Sequence, residues 1–128
     1  MKKVITISLI ANISILIPVC GGLAIESDRM LGVFGESTPA RGILLSIYFS
    51  ILLSSVLLVI HRSPKQVAVL LLVQVLYKIS TPITVGTFYN PVVISNLIVA
   101  TLHICTLLAI FKAIGNPLIE NDTPPIQT

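Results

Sequence analysis

The chain has 128 residues, 55% of them hydrophobic and only 10% charged, with a net charge of +3 and a mean hydropathy of +1.01. A soluble domain carries about a quarter charged residues, so this chain lacks the polar surface needed to coat a water-soluble globule. Its basic residues are scattered rather than clustered, which excludes a nucleic-acid-binding patch and leaves the lipid bilayer as the expected partner.

Met1-Lys2-Lys3 precede an uncharged run from Val4 to Ile25. About 20 apolar residues cross the hydrocarbon core, so this run predicts a first transmembrane helix. The rival reading is a cleaved signal peptide with Gly22-Leu23-Ala24 as its small-x-small site; the length of the apolar run favours a retained helix. The polar stretch that follows carries Glu26, Asp28, Arg29, Glu36 and Arg41, with Gly32 and Gly35 expected in turns. Thr38-Pro39, Ser63-Pro64 and Asn90-Pro91 each place a capping side chain before a proline suited to the first helical position, and each precedes an apolar run. Gln66, three residues past Ser63, completes a possible capping box.

These signals predict helices over residues 4–25, 39–60, 64–85 and 91–114, one transmembrane domain spanning 1–116, and a flexible polar tail over 117–128 after Gly115-Asn116-Pro117. The expected fold class is all-α, an integral-membrane four-helix bundle running up-down-up-down. Lys2, Lys3, Arg62, Lys65 and Lys112 fall at one set of helix ends, and Arg29 and Arg41 at the other. The positive-inside rule then puts both termini in the cytoplasm. Cys20 and Cys105 show no CxxC spacing and too few partners for a metal site, so no metal is expected. Their depths differ by more than about 10 Å, beyond disulfide reach.

The polar residues inside the spans carry the functional expectations. In the second span Ser46, Ser50 and Ser54 recur every four residues, a small-residue stripe of the kind that packs helices closely in lipid. Ser8 and Asn12 share one face of the first span, and Asn12 is expected to hydrogen-bond across to another helix. In the third span Gln74, Tyr77, Lys78 and Thr81 form one continuous face; in the fourth, Asn96, Ala100, His103 and Thr106 do the same. Folding the two spans back about the turn near Phe88 and Tyr89 sets Gln74 level with His103, Thr81 with Asn96, and Lys78 with Val99. The candidate ligand-binding residues are therefore Gln74, Tyr77, Lys78, Thr81, Asn96 and His103.

Lys78 demands a partner, because a lysine at the centre of a span costs on the order of 3 kcal/mol by insertion scales. No span contains a carboxylate; a side chain snorkelling outward could meet Glu26, Asp28 or Glu36, with Glu26 at the end of the first helix the first choice, or could instead reach phosphate headgroups. Pro82 removes the helical hydrogen bond that the Lys78 carbonyl would accept, freeing that oxygen for a side chain or water. His103 is the lone histidine within a span. Two-histidine haem ligation within one chain is thus excluded, whereas a quinone would need one such donor.

Small multidrug exporters also have four short helices, but they rely on a glutamate embedded in the first, and Val4–Ile25 has none. The order of a first span, a glycine-containing loop and a second span opened by Arg41 and Tyr48 (RGILLSIYFS) resembles small DoxX-like bacterial membrane proteins. The resemblance covers the four-helix plan and carries over no site residue. It implies a bacterial inner membrane and an association with respiratory or redox complexes. No nucleophile-base-orienter set is present, so the chain is not expected to be an enzyme by itself. The expected function is that of an accessory subunit or lipophilic-ligand binder with a polar pocket between the third and fourth spans. The alternative is a quinone-reactive oxidoreductase subunit, with quinone its cofactor, and a small-molecule transporter comes third. Expected partners are lipid and either a larger membrane complex or further copies of the chain.

Overall fold

A computed structural model describes residues 1–118, which form five helices and no strand. They are α1 (Lys2–Ala24), α2 (Asp28–Phe34), α3 (Pro39–His61), α4 (Pro64–Val85) and α5 (Pro91–Ile114). All but the short α2 are long and apolar enough to cross a membrane. The expected tail falls outside the described residues from 119 onward.

Each proline placed at a helix start sits there. The Thr38 hydroxyl accepts from the Arg41 amide at 3.3 Å and the Asn90 side chain accepts from the Val92 amide at 2.8 Å. Ser63 forms no such bond, so the capping box with Gln66 is absent, and Pro64 alone opens α4. Gly86 ends α4 in the left-handed region at φ +74°, where glycine has no Cβ to clash. Inside α4 the ladder gap at Pro82 is closed locally: the Thr81 hydroxyl donates to the Lys78 carbonyl at 2.6 Å. That oxygen is therefore not left bare in hydrocarbon, which is what allows the helix to run on past its proline.

α1 lies against α3 and α5, and α4 lies against α5, while α3 and α4 meet only lightly. Asn12 meets Ser55, and Leu16, Cys20 and Leu23 cluster with Tyr48 and Ile51, so late residues of α1 face early residues of α3. Likewise Lys78 meets Asn96 while Leu71 and Val75 cluster with Leu107 and Ile110. The core thus has two apolar clusters. One, at the end holding the N-terminus, joins Ile5, Leu9, Leu58, Val67, Leu71 and Ile110; the other, at the α2 end, centres on Tyr48. The outer faces carry exposed Ile43, Ile60, Ile83 and many other large apolar residues, an exterior matched to lipid rather than water.

The stretch after α1, expected as turns, contains α2. Ser27 precedes it, Asp28 stands in its first turn, and Gly35 ends it at φ +82°. Gly32 lies inside this helix rather than in a turn. α2 docks on the end of α1 at Gly22, where a Cβ would come 2.7 Å from the Met30 Cγ. At its far end the Asn90 amide donates to the Val33 carbonyl at 3.3 Å, tying α2 to the α4–α5 turn. The alternation of Met30, Leu31, Val33 and Phe34 with a cap-like Ser27 was the available signal, outweighed by two glycines.

Candidate functional site

Among the described residues nine polar or charged ones are buried: Ser8, Asn12, Arg41, Ser55, Gln74, Lys78, Asn96, His103 and Thr106. All but Arg41 lie well within the spanning helices, where an unmade hydrogen bond costs about 1–3 kcal/mol because no water can substitute. Their partners therefore define what the interior is built to do.

In the middle of the bundle Ser8 Oγ and His103 Nδ1 are 2.6 Å apart, joining α1 to α5. Whichever group carries the proton, His103 Nε2 has no partner among the described residues. One turn along α1, Asn12 Nδ2 donates to Ser55 Oγ at 2.8 Å, and that hydroxyl donates to the Ile51 carbonyl at 2.8 Å. Asn12 thus bridges to another helix, as its place on the α1 face suggested. Gln74 is fully buried, yet neither its Oε1 nor its Nε2 has a partner among the described residues. Gln74 and His103 face the interior, not lipid.

Toward the α2 end stands Lys78, 3% exposed. Its ammonium donates to the Tyr77 hydroxyl at 2.7 Å and to Asn96 Oδ1 at 3.3 Å. The lysine thus joins α4 to α5 through Asn96. The Asn96 Nδ2 is left without a partner. Beside the ammonium lies a small chamber of ≈ 40 Å³ whose walls include Phe34, Tyr48, Tyr77, Lys78, Ser95 and Asn96. An aromatic row lines one side of it, with Phe34 and Tyr48 in edge contact at 6.2 Å and Tyr48 and Tyr77 at 6.4 Å between centroids.

The expected Lys78–Glu26 ion pair does not form. Glu26 is 3.7 Å from the guanidinium of Arg41 and also accepts from the Ser37 hydroxyl at 2.5 Å. Arg41 is 6% exposed and donates to the Gly35 carbonyl at 2.6 Å. It lies in the first turn of α3, close in chain to the same loop, and so captures the carboxylate in preference to a lysine seven residues inside the end of α4. Thr81 also takes a role other than ligand contact, since its hydroxyl is spent on the Lys78 carbonyl.

The serine stripe of the second span lies largely outside the packed core, with Ser54 half-buried beside a groove shared with Leu70 and Val73 of α4. Ser46 and Ser50 are exposed, and their hydroxyls donate to carbonyls of their own helix, at 3.2 Å to Gly42 and 2.8 Å to Ser46. The face of α3 that packs on α1 carries Arg41, Tyr48 and Ser55 instead, seven residues apart. That spacing was the readable sign of the packed face, and Ser55 and Phe34 are the site residues that sequence reasoning missed. The stripe borders two lipid-facing grooves between α3 and α4, of ≈ 510 and ≈ 610 Å³, where those helices barely touch.

The polar interior is thus a seam running from the α2 end to the middle of the bundle. Beyond His103 and Gln74 the apolar cluster of Ile5, Leu9, Leu71 and Ile110 closes it. Both cysteines are free, Cys20 buried and Cys105 exposed. Comparison with family models, with curated proteins and with solved structures gives no match.

Proposed function

We propose that this small membrane protein is an accessory subunit that binds a lipophilic ligand through polar groups between α4 and α5. The observation that supports it most directly is the set of buried atoms on α4 and α5 without partners among the described residues: both ends of Gln74, the Asn96 amide nitrogen and His103 Nε2. Such groups are costly in a bilayer unless they serve a guest or a partner, and no general stability argument retains them.

In this reading the bundle runs up-down-up-down with both termini in the cytoplasm of a bacterial inner membrane. Five basic residues at the terminal end against Arg29 and Arg41 at the other support that orientation. The layout shared with DoxX-like proteins favours a role beside a larger membrane complex. The lipid-facing serine stripe offers a surface for a second copy of the chain.

Purification in mild detergent, with mass spectrometry of co-purifying proteins and lipids, tests the proposal. A defined lipophile or partner, retained by the wild type and depleted in Gln74→Leu, supports it. Identical lipid and protein content in both preparations overturns it. A quinone-reactive subunit is the second reading, favoured by the unpartnered His103 Nε2. Quinone co-purification lost in His103→Leu would select it.

A further inference from the structure

Lys78 is a nearly fully buried cation whose neighbours, among the described residues, are two neutral oxygens and the Tyr77 ring, 4.7 Å from its ammonium. The chamber beside it is also lined by Asn96, 6% exposed, whose Nδ2 donor is unpartnered. A fixed cation and a free N–H donor on one small cavity form a receptor for a negative charge. A single water accepts such donors too, but leaves the lysine charge uncompensated in a medium of low dielectric.

The surroundings narrow the ligand. Val19, Phe34, Val92 and Ser95 line both the chamber and a second, wider recess of ≈ 400 Å³ beneath α2. That recess also takes in Met30, Val33 and Pro91, with Arg29 beside them. Its walls are mostly aliphatic, and Phe34 stands at the junction of the two spaces. A volume of ≈ 40 Å³ admits a group of about the size of one water to one carboxylate, not a ring or a phosphate.

We propose that Lys78 and Asn96 bind the carboxylate of an aliphatic acid, whose chain lies in the recess beneath α2. This rests on the lipophilic-ligand reading above and specifies the ligand's head. Lys78 Nζ and Asn96 Nδ2 donate to the two carboxylate oxygens, and Tyr77 and Asn96 Oδ1 hold the ammonium in place. Arg29 adds a second positive charge at the recess. Of the acids on that loop, Glu26 is occupied by Arg41 and Ser37.

The test uses the full chain in nanodiscs of zwitterionic lipid, titrated with decanoate, methyl decanoate and acetate and followed by thermal melting and calorimetry. Decanoate should bind saturably and raise the melting temperature, while its uncharged ester should not. Lys78→Met and Asn96→Asp should each weaken decanoate by at least about tenfold, the loss of one charge-assisted hydrogen bond. Asn96→Asp places a carboxylate where the ligand's would lie, and Lys78→Met removes a charge from the bilayer, so neither is expected to prevent folding. Acetate binding as tightly as decanoate would keep the carboxylate site and identify free short acids as its source. Ester and acid binding equally, and equally in Lys78→Met, would overturn the carboxylate site while leaving a lipophile binder. Binding of none of the three would overturn this inference, with the co-purification experiment still deciding the broader reading.

Discussion

Arg41 and Lys78 are both cations removed almost completely from solvent, yet the molecule treats them differently. Arg41 sits at the rim, where the loop supplies a carboxylate and a backbone carbonyl. Lys78 sits a third of the way into the bundle, where a phenol and an amide are its partners. A rim cation can be neutralised by whatever acid the connecting loop carries. A cation inside a span can draw only on residues that were themselves inserted, and none of those is acidic. The difference teaches that Arg41 organises structure around a loop acid, whereas Lys78 has only neutral groups beside it.

The comparison can be broken first at Asn96. Asn96→Leu removes the one interhelical acceptor of the lysine, and we expect a loss of about 2–3 kcal/mol, the value of a hydrogen bond to a charged group, in reversible unfolding in bicelles. A loss near zero would mean that Lys78 reaches another partner. Next, Gly22→Val pushes α2 off α1, since even a Cβ meets Met30 at 2.7 Å. Overpacking of this kind costs about 1–3 kcal/mol. Faster protease cleavage of the 26–38 loop should accompany it.

Arg41→Met should cost less than Asn96→Leu despite the similar burial of the two cations. Its partner Glu26 is 58% exposed and returns to water when abandoned, so the pair is worth about 1 kcal/mol or less. Hydrogen exchange should show faster opening of residues 35–38 without global unfolding. Smallest of all, Ser50→Ala should change stability by less than about 0.5 kcal/mol in the single chain, because the hydroxyl bonds only to its own helix. A larger loss that depends on protein concentration would reveal a second copy on that face.

How far these features could be read in advance depended on whether they were local. Apolar run length and three prolines at helix starts set the spanning helices, because both act within one segment. The gap left by Pro82 was readable for the same reason, and Thr81, its chain neighbour, fills it. The partner of Lys78 was not, since it depends on which acid the loop offers to which cation. Arg41 won Glu26 by proximity in chain. The serine stripe misled because small residues mark close packing without saying against what. Ser55 rather than Ser54 faces α1, a choice fixed by the bulk of Tyr48 and Leu58 on the same face. The grooves between α3 and α4 follow from tertiary arrangement alone and left no trace in the helix patterns.

The greasy stopper of Ile5, Leu9, Leu71 and Ile110 gives the hydrophilic interior a floor. A molecule admitted beneath α2 must depart by its own doorway or sideways into lipid. If the chain takes up a guest as proposed, that closed end makes it a receptacle rather than a passage.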